Sequence, residues 1–141
     1  TLVINEIMAS QTSCCADEAG EFDDWIELYN GGTEVRDLSG MYLSDDVNDP
    51  FKFKIPNGIT IPAGGFLVFW ADEQGNQGPL HMNFKLSKGG EAAGLFYIDG
   101  REIDSKTFSD QDDNKSFGRN EDGASTWMQF TSPTPGSSNN P

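Results

Sequence analysis

Apolar residues in this chain come in short runs, each broken after a few positions by Gly, Pro, Asn or Asp. No sustained i, i+3, i+4, i+7 stripe is present, so the pattern predicts strands and turns rather than long helices. Strands are expected over 2–8, 25–29 and 41–43. A further strand follows where Phe51, Phe53 and Ile55 alternate with Lys52 and Lys54, a one-faced pattern. Ile59 and Ile61 begin the next after the Pro56-Asn57-Gly58 turn. The run 66–70 is the most apolar, with Phe66, Val68 and Trp70 alternating against Leu67 and Phe69, and is read as a central strand burying both faces. Residues 94–98 and 102–108 flank Asp99-Gly100, a hairpin signal, and Phe117 and residues 127–130 supply the last strands. Segment 83–86 is ambiguous between strand and loop.

Nine or ten short strands with turns every 8–12 residues fit an all-β fold, an immunoglobulin-like β-sandwich. The 141 residues suit one domain, assigned to 1–131. Residues 132–141 lack apolar content and are read as a domain exit or linker. Ten Phe, three Trp and three Tyr are enough to close a core. Asp and Glu total 23 against nine Lys and Arg, a formal charge of −14, and that balance argues against a nucleic-acid partner, which is held by cationic side chains. No run approaches the ~20 apolar residues of a membrane span. No signal peptide is visible, and a chain opening at Thr1 directly into strand pattern is expected to be a segment of a longer or processed protein. It is expected to be a monomer.

Three loops concentrate carboxylates. The first holds Asp17, Glu18, Glu21, Asp23 and Asp24, the second Asp45, Asp46 and Asp49, and the third Asp110, Asp112 and Asp113. Ca²⁺ takes six to eight oxygen ligands, and short acidic loops at strand ends can supply several at once. The spacing matches no EF-hand, and a solvated acidic surface is the ordinary alternative. Within the first loop, Asp17, Glu18, Glu21 and Asp23 are the candidate Ca²⁺ ligands. Glu6 and Glu27 each interrupt an apolar strand. A carboxylate pair could serve glycoside hydrolysis, but a structural role accepting backbone N–H groups is the stronger reading, and Asn5 is read as a bridge between backbone segments. His81, the only histidine, is read as polar surface in a loop, without a nucleophile elbow or a zinc ligand set around it. Ser87-Lys88-Gly89-Gly90 is not a phosphate loop. Cys14 and Cys15 are adjacent, which leaves a vicinal disulfide open beside free or modified thiols, the commoner state. The aromatics are mainly core, with Trp25, Tyr42 and Trp127 left open as a sugar-stacking platform.

The segments INEIMA (4–9), DWIELYN (24–30), DLSGMYLSDD (37–46), IPAGGFLVFWADE (61–73), NFKLSKGGEAAGLF (83–96), SFGRNEDG (116–123) and PTPGSSN (133–139) together resemble the bacterial lamin-tail domain, over nearly the whole chain. The resemblance implies an immunoglobulin-like sandwich used as an accessory module in secreted or surface-attached bacterial proteins, and no enzyme activity. The animal version carries basic surfaces linked to chromatin; this acidic chain departs from it, and so does the Cys14-Cys15 pair. The expected function is a non-catalytic extracellular binding or spacer module, adhesion-related and Ca²⁺-stabilised. Its partners would be a protein or glycan and other domains of the same polypeptide. The competing readings are a small hydrolase using acidic loop carboxylates and a purely architectural spacer.

Overall fold

In the computed structural model, which describes residues 2–74, 77–87 and 89–139, the runs of alternating pattern become two antiparallel sheets packed face to face. The strands in chain order are β1 (Leu2–Met8), β2 (Asp24–Asn30), β3 (Arg36–Asp37), β4 (Tyr42–Ser44), β5 (Phe53–Lys54), β6 (Thr60–Ile61), β7 (Phe66–Ala71), β8 (Glu91–Phe96), β9 (Glu102–Phe108), β10 (Ser116–Arg119) and β11 (Trp127–Phe130). One sheet runs β11-β10-β1-β2-β7, the other β5-β4-β8-β9, and β3 and β6 form a separate short ladder. The fold is an immunoglobulin-like β-sandwich. Ile4, Ile7, Ile26, Leu28 and Phe69 from the first sheet meet Leu43, Ala93, Leu95 and Phe108 from the second in one core.

The register of β1 carries a bulge between Ile4 and Glu6. In an unbroken strand Leu2, Ile4, Glu6 and Met8 would share a face. The extra residue, Asn5, shifts the phase, so Leu2, Ile4, Ile7 and Ala9 point into the core while Met8 joins Trp25 and Trp70 on the far side. The backbone groups that the bulge frees find side chains instead: Ile4 N–H donates to Asp104 Oδ2 at 2.8 Å, and Arg119 Nε donates to Ile4 C=O at 2.8 Å. The same Asp104 oxygen accepts from Arg119 Nη2 at 2.8 Å, which ties the two sheets together.

The run 66–70 is not central. β7 forms the edge of the five-stranded sheet, and β1 holds the middle. An apolar run so dense is tolerated at an edge because the chain at 80–82 covers it: Trp70 N–H donates to Leu80 C=O at 2.8 Å, and Met82 N–H donates to Trp70 C=O at 2.7 Å. Segment 83–86 forms no strand, only an isolated bridge at Lys85, though Phe84 and Leu86 are buried. The β8–β9 hairpin closes through a turn with Gly100 N–H on Tyr97 C=O at 2.9 Å and Gly100 at φ +88°, followed by Tyr97 N–H on Arg101 C=O at 2.8 Å. Ile98 and Asp99 occupy the turn centre, and Gly100 takes the left-handed bulge position rather than a place in a two-residue loop.

Residues 132–139 do not leave the sandwich. Asn139 is fully buried and donates from Nδ2 to Asn5 C=O and Arg119 C=O, each at 3.0 Å, while its N–H donates to Asp122 at 2.7 Å. Polar composition hid this docking because its attachment is through hydrogen bonds, not apolar burial. Of the aromatics left open as a sugar-stacking platform, Trp25 is fully buried; Tyr42 stands edge-on to Phe51 at 4.9 Å and Trp127 lies against Phe117 at 5.2 Å.

Gly90, which leads into β8, sits at φ +104°, and a Cβ there would lie 2.6 Å from Phe108 C=O on the neighbouring strand. Gly90→Ala should therefore cost about 1–3 kcal/mol, read as a lower urea midpoint with an unchanged slope.

Candidate metal centre

The loop between β1 and β2 folds around one carboxylate. Asp17 Oδ1 accepts from the N–H groups of Ala19 and Glu21, both at 2.9 Å, while Asp17 N–H donates to Glu21 C=O at 2.8 Å. These bonds close residues 17–21 into a tight turn and leave Asp17 buried. Among the described residues its second oxygen, Oδ2, has no hydrogen-bond partner, and neither has Asp23 Oδ2.

Against this turn pack Asp72, just past the end of β7, and His81 from the covering segment. Both are buried, and His81 Nδ1 lies 2.5 Å from Asp72 Oδ2. On its other side His81 Nε2 meets the more exposed Glu18 carboxylate. Gln74 N–H donates to Asp72 Oδ1 at 2.9 Å, and Gln77 Nε2 donates to Glu21 Oε1 at 2.8 Å. Ligand atoms of Asp17, Asp72 and His81 all lie within 4.8 Å of one another, and so do those of Asp17, Glu21 and Asp23.

The electrostatics follow from crowding. Burial alone would lower the His81 pKa, but the hydrogen bonds to Asp72 and Glu18 outweigh it and raise the pKa, favouring an imidazolium that donates from both nitrogens. Asp23 is pushed up to about 6, first by burial, then by a hydrogen bond that its protonated form gives to Asp17, and then by the charges of Asp72, Asp17 and Glu21. Asp24 is pushed up to about 7, chiefly by burial.

Of the expected ligands, Asp17, Glu21 and Asp23 converge, while Glu18 turns aside to His81. His81 is not polar surface: it is 1% exposed. The alternation carried no signal for it: Met82, Phe84 and Leu86 point inward, which puts His81 in phase with the exposed Asn83 and Lys85, and its burial comes instead with the contacts to Asp72 and Glu18. Asp72 follows the most apolar run directly and went unnoticed for lack of any local partner.

The other two acidic loops are satisfied differently. Asp45 pairs with Lys52 Nζ at 2.6 Å, and Ser44 Oγ donates to Asp46 C=O and Asp49 C=O. In the third, Asn114 Oδ1 accepts from Thr12, Ser13 and Cys14 N–H at 2.8, 2.9 and 3.2 Å, which shapes the turn where Cys14 and Cys15 are joined as a vicinal disulfide, not left as thiols. That turn packs over Met8, Trp25 and Trp70 on the outer face of the first sheet.

Glu6 and Glu27 stand opposite each other on β1 and β2, both fully buried under residues 134–139. Glu6 accepts from Ser116 Oγ at 2.5 Å, Thr134 N–H at 3.0 Å and Thr134 Oγ1 at 2.7 Å; Glu27 Oε2 accepts from Gly136 N–H at 2.5 Å. The structural role expected of both is what the contacts show. Asn5 bridges as expected, accepting from Gly123 N–H at 3.0 Å and donating to Asp122 at 3.2 Å.

A comparison with protein families matches residues 1–110 to the family described as Lamin Tail Domain. Among curated proteins, nothing matches the chain.

Proposed function

The chain belongs to the lamin tail domain family, whose members are immunoglobulin-like, non-catalytic domains, and from that membership we propose that it is a binding or spacer module of a larger secreted or surface-attached bacterial protein. The observation that carries the non-catalytic reading is the sealing of Glu6 and Glu27. These are the carboxylates best placed to act as an acid–base pair, and both lie fully buried beneath residues 134–139, where no substrate reaches them. The Cys14–Cys15 disulfide supports an oxidising, extracellular setting. The loops at the ends of the sandwich offer the surface on which a protein or glycan would be met. A divalent cation holding the first loop, Ca²⁺ in the expectation from sequence, is part of the proposal: Asp17, Glu21 and Asp23 bring three carboxylates within reach of one ion.

The test is a panel of glycoside, ester and phosphoester substrates alongside glycan and protein arrays. The expected result is no turnover and array binding to a protein or glycan. Turnover that disappears in Glu27→Gln with the fold retained would replace this reading with a hydrolase.

A further inference from the structure

The corner formed by Asp17, Asp72 and His81 has more acceptors than donors. Asp17 is more than nine-tenths buried, yet its Oδ2 has no partner among the described residues, and it belongs to both groups of converging ligand atoms. Asp23 Oδ2, and Oε1 of Gln77, whose amide donates to Glu21, are likewise buried acceptors without donors among the described residues. A buried acceptor left unpaired is costly, and only a proton, a water or a cation supplies what it lacks. Asp72 and Glu18 flank the two ring nitrogens of His81, and Asp17 joins this group to the carboxylates of Glu21 and Asp23.

We infer that this corner is a site for a divalent transition-metal cation, with Asp17 Oδ2, Asp72 and His81 Nδ1 as its protein ligands. The inference rests on the cation-held first loop and names the ion. Ca²⁺ asks for six to eight oxygens, whereas here a nitrogen and a few carboxylates converge, a mixed set that suits Zn²⁺ and its neighbours. Binding exchanges one cation for another: the metal enters between His81 Nδ1 and Asp72, and the proton on Nδ1 leaves to solvent. His81 Nε2 keeps its proton and donates it to Glu18, so Glu18 becomes the carboxylate that orients a ligating histidine. Asp23 or water completes the coordination. The cation thereby links the β1–β2 loop to the segment covering β7, two pieces of chain more than fifty residues apart.

The experiment is calorimetric and thermal titration of chelator-treated protein with ZnCl₂ alone and CaCl₂ alone, on wild type, Asp17→Asn and His81→Ala. Asp17→Asn retains an oxygen for the N–H groups of Ala19 and Glu21 and removes only the free ligand atom, so it remains informative if His81→Ala fails to fold. The cysteines are bonded to each other and offer no competing thiolate. Expected are one Zn²⁺ per chain, a melting temperature raised by several degrees, affinity for Zn²⁺ about 100-fold or more above that for Ca²⁺, and a loss of about tenfold or more in Asp17→Asn. Equal or tighter Ca²⁺ binding would overturn the choice of ion and leave the cation-held loop standing. No binding of either ion would remove both, without touching the non-catalytic reading. Zn²⁺ binding undiminished in Asp17→Asn would place the metal elsewhere and sink the inference.

Discussion

Replacing Phe69 by Ala should lower the free energy of unfolding by about 3–5 kcal/mol and the melting temperature by roughly 10 °C. The ring is fully buried, faces Ile26 across the β2–β7 ladder, and stands edge-on to Phe53 of the opposite sheet at 6.4 Å. Its removal opens a void between the two layers. Edge strands can shift inward to fill such a void, but β7 is held on its outer side by the two backbone bonds from Trp70 to Leu80 and Met82. Collapse is therefore restricted, which puts the cost toward the upper part of the range. Ile98→Ala is the control: that side chain is 67% exposed, and the change should stay within about 0.5 kcal/mol. Urea denaturation of the three proteins gives the comparison, and a Phe69→Ala midpoint matching that of Ile98→Ala would mean that the two sheets do not meet at this ring.

The contrast between these residues also marks what the sequence makes legible. Both are large apolar groups, and the alternation over 66–70, apolar on both faces, marks Phe69 for burial because a dense apolar run is a local pattern. The same alternation misplaces β7 in the sheet, because strand order depends on which segments meet and not on how apolar each is. It also leaves unexplained why Glu6, rightly read as structural, stands among apolar neighbours: the bulge at Asn5 changes the phase there, which only the partner strand reveals. At the candidate metal centre, Asp17, Glu21 and Asp23 were visible because they crowd one loop. Asp72 and His81 were not, since the Asp17 and Glu18 carboxylates they meet lie more than fifty residues away along the chain. The tail fell out of view for a different reason: Thr134, Gly136 and Asn139 are small or polar, and only the buried carboxylates and amides beneath them explain their position.

Those carboxylates predict that the protein is more stable at pH 5 than at pH 8. Glu27 is pushed up to about 9, first by burial and then by the charge of Glu6, with Asp122 adding to it; the Gly136 N–H and Asn5 amide oppose the shift without cancelling it. Glu6 is raised as well, chiefly by burial, but three donors from Ser116 and Thr134 favour its ionised form. At neutral pH the pair therefore holds its proton on Glu27. An acid whose folded pKa lies above its unfolded value keeps its full contribution below the unfolded value, near 4.5. That contribution is lost as pH rises toward the folded value, with a slope of up to about 1.4 kcal/mol per pH unit. His81, Asp23 and Asp24 are raised too and pull in the same direction, so the wild-type profile alone does not isolate the pair. Glu27→Gln does. It keeps an oxygen for Gly136 N–H and cannot ionise, so its stability should fall less steeply between pH 5 and 9 and exceed the wild type's by a few kcal/mol at pH 8. Amide exchange supplies the structural side of the measurement. As Glu27 loses its proton beside Glu6, two buried anions repel, and the Thr134 and Gly136 amides should lose protection before the amides of β1 and β2 do. Parallel pH profiles for wild type and Glu27→Gln would mean that Glu27 is already ionised beneath the tail, and the arrangement of charge on this face would have to be drawn again.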